Sequence, residues 1–127
     1  MDPTALFRAL SDETRLRCLA LIRARREVCV CDFSGALGLA QPKVSRHLAY
    51  LRSNGVVRDR RVRTLVFYRF SEKMPTWARE VLDKTLTNIC KQDPFCRDLK
   101  RLADIDCRST GLTSEQTPKP ANNSPAQ

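Results

Sequence analysis

Gly38 and Pro42 constrain the fold more than any other feature of the chain, because they separate two helical patterns by too few residues for the helices to part. Residues 32–37 carry a short apolar pattern closed by Gly38, glycine being the residue that most readily takes the left-handed conformation after a helix. After "LAQP" a second helix starts at about Pro42, a position where proline is tolerated. Its apolar residues Val44, Leu48 and Leu51 fall on one stripe, and Asn54-Gly55 stop it. A short helix, a tight turn and a second helix with one buried face make a helix-turn-helix.

The flanks extend this unit. Leu6, Phe7 and Leu10 recur at helical spacing near the N-terminus, and a second helix carries Leu16, Leu19 and Ile22. Ser11 is its expected N-cap, Asp12 and Glu13 suit its first turn, and Arg23, Arg25 and Arg26 suit its last. Downstream, "VVRDRRVRTLVFYRF" is β-branched and aromatic, which predicts a β-hairpin with its tip in residues 61–64. That tip has no Gly, Asn or Asp, so a loop longer than two residues is expected. From Pro75 a longer helix presents Trp77, Val81, Leu82, Leu86 and Ile89 until Asp93-Pro94 breaks it, and a final turn or two holds Phe95, Leu99 and Leu102. The expected architecture is mainly α with a β-hairpin wing, a dimeric winged helix-turn-helix. It divides into a DNA-binding and dimerisation domain over residues 1–92, a helical extension over 93–107 and a disordered tail over 108–127. The tail is Ser-, Thr-, Pro-, Asn- and Gln-rich, too polar to bury a core.

Charge is concentrated. Residues 1–40 carry six Lys/Arg and five Asp/Glu, residues 71–127 nine and eight, but residues 41–70 carry eight and one, so +7 of the net +9 lies in thirty residues. Such a concentration is the footprint of a polyanion contact. Gln41, Lys43, Ser45, Arg46 and His47 lie off the buried stripe of the second helix, in the half that enters the major groove in this motif. Arg46 can donate bidentately to guanine and Gln41 can read adenine or bind phosphate, while Ser45 and His47 suit backbone oxygens. For His47, an ordinary place on the helix surface is an equal alternative. The hairpin adds Arg58, Arg60, Arg61, Arg63 and Arg69 as a wing for phosphates or the minor groove. The partner expected is double-stranded DNA. No apolar run reaches the roughly 18 residues of a membrane span, and the start "MDPTALFRAL" lacks a signal-peptide pattern, so no membrane partner and a cytoplasmic location are expected.

In that compartment six cysteines point to metal binding or redox chemistry rather than to a disulfide framework. Cys29 and Cys31, in "VCVCDF", immediately precede the short helix. At about 100° per residue, positions i and i+2 of a regular helix point roughly 200° apart. On an extended segment they share a face about 6.6 Å apart. The pair can therefore chelate one atom only if its segment is not regular helix. Thiolates are soft donors for Zn(II), Cu(I) and, by extension, trivalent arsenic and antimony, and a helix N-terminus is expected to lower their pKa. The plainer alternative is that one thiol is a small buried hydrophobe, the part assigned to Cys18.

"LSDETRLRCLALI", "EVCVCDF", "QPKVSRHLAYLRSNGVV" and "DRR…VFYRF" together resemble the arsenic-responsive branch of the ArsR/SmtB metalloregulatory repressors, over about residues 6–89. The resemblance implies a bacterial homodimer, dimerising through its first helix and the helix after Pro75. It implies repression at a palindromic operator that the protein leaves when a metalloid binds. No resident cofactor is implied; the inducer is As(III) or methylarsenite, with Sb(III) a further candidate. Two departures stand out. A third cysteine common in this branch is here Ser34, and a capping serine before the recognition helix is here Ala40. Zinc and nickel sensors of the family use histidines and carboxylates on the C-terminal helix, where this chain has no histidine, and cadmium and lead sensors add N-terminal cysteines absent here. The expected metalloid site is thus Cys29 and Cys31, with Cys90, Cys96 and Cys107 as candidate further donors. A thiol-redox repressor and a small zinc-structured protein stay open beside it. No catalytic dyad or phosphate-binding loop converges, so the chain is not expected to be an enzyme.

Overall fold

The computed structural model describes residues 1–113, with side chains described through Ile105. The elements run α1 (Pro3–Leu10), α2 (Glu13–Arg25), β1 (Glu27–Cys29), α3 (Val30–Leu37), α4 (Gln41–Ser53), β2 (Val57–Val62), β3 (Leu65–Phe70), α5 (Thr76–Ile89) and α6 (Phe95–Thr113). The strands form one antiparallel sheet in the order β1-β3-β2. The winged helix-turn-helix order is as expected. Among the described residues, no helix is long and apolar enough to cross a membrane.

The α3–α4 turn follows the sequence closely. Gly38 takes the left-handed conformation with φ 68°, and its N–H donates to the Ser34 carbonyl. Val44, Leu48 and Leu51 are fully buried. Ala40 caps α4 without a side-chain bond, and its carbonyl accepts from the Lys43 and Val44 amides. Ser34 is occupied by the turn itself, its hydroxyl donating to the Leu39 carbonyl at 2.6 Å.

Four expectations change. Asp12, not Ser11, caps α2 by accepting from the Arg15 amide at 3.0 Å; Ser11 closes α1, its hydroxyl bonded to the Arg8 carbonyl. The hairpin is tight after all. Val62 pairs with Leu65, leaving Arg63 and Thr64 as the turn, with Arg63 at φ 58°. That conformation costs a non-glycine residue about 1–2 kcal/mol, which six paired positions between β2 and β3 offset. On α5 the core takes the row Ala78, Leu82 and Leu86, and Trp77 stays 37% exposed, because the small Ala78 lets the helix approach α2 more closely than Trp77 can. The fourth concerns α6, which is not a final turn or two but a helix over Phe95–Thr113. Phe95 and Leu102 join the core, and the fully buried Asp98 receives two bonds from Arg17 of α2, at 2.7 and 2.8 Å. Arg17 also donates to the Leu37 carbonyl at the end of α3, so α6 braces the helix that carries the turn. Residues 114–127 of the expected tail lie outside the described residues.

Candidate dithiol site and nucleic-acid interface

β1 has no counterpart in the sequence reading, and it sets the geometry of the thiols. Glu27, Val28 and Cys29 pair with Arg69, Tyr68 and Phe67 of β3. Arg26, at φ 76°, turns the chain out of α2 into this strand. Cys29 keeps an extended backbone (φ −76°, ψ 146°) as N-cap of α3, while Cys31 already lies in the first turn. The bend between strand and helix brings the two sulfurs to 3.2 Å. Both are free thiols. Bonds of about 2.3 Å to one thiophilic atom, at angles between about 90° and 109°, place two sulfurs about 3.3–3.8 Å apart. The pair is therefore gathered in advance, which removes the need to deform α3.

The low thiol pKa expected at the helix start is not found at Cys31. Burial pushes Cys31 up to about 11, even though the residue still reaches solvent, and the bond to the Cys29 sulfur and the Asp32 carboxylate add to the rise. Asp32 is itself buried and is bonded to Arg25 at 2.8 Å. Binding a divalent cation would expel the Cys31 proton into solvent. A neutral trivalent hydroxide instead exchanges hydroxide for thiolate and carries the thiol proton away in water. Cadmium affinity should accordingly rise about tenfold per pH unit from this proton alone between pH 6 and 8, with arsenite affinity nearly flat. Calorimetric titrations at pH 6, 7 and 8 check this; parallel pH dependences for both would contradict it.

Cys29 and Cys31 line a cleft of about 220 Å³ between the recognition helix and the wing. Gln41 and Ser45 of α4 form one wall, and Asp59, Arg61, Thr64, Leu65 and Val66 form the other. A larger groove, of about 750 Å³, runs between α2, the other face of the sheet and α5. It contains no thiol, so the chemistry belongs to the smaller cleft.

The predicted DNA-reading residues divide. Gln41, Lys43 and Arg46 are exposed on α4, whereas Ser45 is half-buried. His47 turns towards α2, 3.4 Å from an Arg15 nitrogen and 3.7 Å from Asp12. Burial lowers its pKa first, opposed by Asp12 and assisted by the cations Arg15, Lys43 and Arg46. The ring thus faces both Arg15 and Asp12, bracing α4 on α2. The wing splits by strand alternation. Arg60 faces away from the cleft and holds Glu27 at 2.7 and 2.8 Å. Arg58 and Arg69 share Glu72. Among the described residues, Lys43, Arg46, Arg61 and Arg63 have no carboxylate within ion-pair distance.

Cys18 is fully buried in the core, with its thiol pKa raised by desolvation. Cys90 caps the end of α5 and Cys96 lies in the first turn of α6; neither lines the cleft. Burial raises Cys90, which also feels Arg23 and Cys96. Cys107 lies outside the described side chains. Among the described residues, no third His, Cys, Asp or Glu joins the dithiol at metal-ligand distance.

A recognition helix with free cations, a wing and a gathered dithiol between them define a winged helix-turn-helix DNA-binding regulator. Residues 12–59 match the family described as "Bacterial regulatory protein, arsR family". The arsenic resistance transcriptional regulator ArsR2 of Pseudomonas putida is 50% identical over 68% of this chain and 75% of its own length. The arsenical resistance operon repressor of Escherichia coli is 41% identical over 83% and 88%. In structure, the AntR antimony-specific transcriptional repressor superposes with a TM-score of 0.57 at 30% identity, over 69% of this chain and 77% of that one. The chain belongs to the ArsR family of transcriptional regulators, which are not enzymes.

Proposed function

We propose that the chain is a homodimeric repressor that binds operator DNA through α4 and the wing and leaves it when trivalent arsenic or antimony binds Cys29 and Cys31. The observation that carries this reading is the 3.2 Å sulfur pair lying between the two elements that meet DNA. Names of relatives support the inducer class, two of them being arsenic resistance regulators and one antimony-specific. With Ser34 committed to the turn and Cys90 and Cys96 away from the cleft, two thiols suffice for binding. Arsenite would retain one hydroxyl and methylarsenite its methyl group. Lys43, Arg46, Arg61 and Arg63 are the phosphate and base contacts, with Gln41 beside them. The two helices that the family resemblance assigns to the dimer interface each carry an exposed apolar side chain, Phe7, 56% exposed on α1, and Trp77 on α5.

The proximity of the sulfurs also suits a redox switch, in which the pair is oxidised. Titration of the operator complex in reducing buffer separates the two. Arsenite, methylarsenite and antimonite should each weaken DNA binding by about 5–150-fold. A reduced protein that stays on the operator through all three titrations and leaves it on oxidation would establish the redox reading instead.

A further inference from the structure

We infer that α6 supplies a contact to operator DNA from outside the helix-turn-helix and the wing: Arg101 donates to a backbone phosphate beside the α3–α4 turn. The inference rests on the DNA-binding reading and adds a residue to its interface. A guanidinium nitrogen of Arg101 lies 3.5 Å from the point where a side chain would begin at Gly38. Gly38 is the left-handed residue that closes α3, and Ala40 is already the N-cap of α4. Gly38, Ala40, Gln41 and Lys43 are all exposed there, as is Arg101. In this motif the first helix crosses the DNA backbone and the start of the second enters the major groove. The turn that joins them therefore passes close to a strand of phosphates.

The backbone that carries Arg101 is fixed on both sides. Asp98, one turn before it, is fully buried and bonded to Arg17. The carbonyl of Leu102, next in the chain, accepts from Arg25 at 3.1 Å. α6 thus holds the guanidinium at the turn without giving it an ion pair. Among the described residues, no carboxylate lies within ion-pair distance of Arg101, Asp104 on the next turn included. A cation left unneutralised beside a DNA-reading helix is complementary to a phosphate, which fixes register without reading sequence. α6 lies beyond the residues 12–59 that match the family, so the contact comes from a part of the chain that the shared motif does not include.

The test is the salt dependence of affinity for an operator duplex, measured by fluorescence anisotropy on the reduced full chain without inducer. Arg101→Ala should lower the slope of log affinity against log salt by about two, at roughly 0.9 per phosphate and one contact per subunit of the dimer. Arg101→Lys should keep the wild-type slope, because a point charge also serves a phosphate. Lys100→Ala removes the neighbouring exposed cation of α6 and should leave the slope unchanged. Arg101→Gln supplies the comparison if Arg101→Ala fails to fold. An unchanged slope in the Arg101 variants, or an equal fall for Lys100→Ala, would overturn the inference while leaving the contacts of α4 and the wing intact. A wild type that does not bind the duplex would overturn the DNA-binding reading and this one with it.

Discussion

Replacing Asp98 with alanine will destabilise the fold by about 3–5 kcal/mol, the cost of leaving one partner of a buried ion pair alone. Asp98 is fully buried and accepts two of the three hydrogen bonds of the Arg17 guanidinium. Without it, Arg17 retains only the Leu37 carbonyl, and its charge stays largely out of water. Urea denaturation should show the loss as a lower midpoint with little change in slope. The pair itself adds little over an apolar replacement of the same shape, so Arg17→Met with Asp98→Leu should recover most of the stability. A single Asp98→Ala variant as stable as wild type would mean that α6 does not grip α2 and α3. Because Arg17 ties α6 to the end of α3, weakened operator binding should accompany the lost stability.

Operator affinity will fall by about four orders of magnitude between 50 and 200 mM salt, because about eight phosphates of the site are neutralised by the dimer. The number comes from Lys43, Arg46, Arg61 and Arg63, which have no carboxylate partner among the described residues and are doubled by symmetry in the proposed dimer. Arg61→Ala should lower the steepness of the salt dependence by about two phosphates per dimer. Arg60→Ala should leave it unchanged, since Arg60 is held by Glu27 on the opposite face of the wing. A salt dependence near zero would remove the electrostatic account, and equal effects of the two substitutions would remove the division of the wing.

What could be read from the sequence was whatever several local signals specified together. The recognition helix has a stripe, a proline at its start and Asn-Gly at its end, all naming the same boundaries. The features that escaped are non-local. β1 is three residues long and exists because β3 pairs with it, yet its junction with α3 is what brings Cys29 and Cys31 together. Without it, the spacing suggested that binding must distort α3; with it, the sulfurs already meet. Asp98 escaped because a carboxylate does not announce itself as core until Arg17, 81 residues away, is seen beside it. The arginines of the wing read as one group in the sequence; their division into two faces needs the strand pairing and the partners Glu27 and Glu72 that neutralise one of them. The helix-terminus argument for acidic thiols failed because burial outweighs it at Cys31.

The central claim is that Cys29 and Cys31 together sense the inducer and that this binding is coupled to DNA by about 1–3 kcal/mol. By linkage, operator DNA must weaken arsenite binding by the same factor with which arsenite weakens DNA binding. The most direct measurement is operator affinity with and without arsenite for the wild type, Cys29→Ser and Cys31→Ser, in reducing buffer. The account predicts that all three bind the operator alike and that only the wild type loses affinity when arsenite is added. Release of either serine variant by arsenite would contradict it.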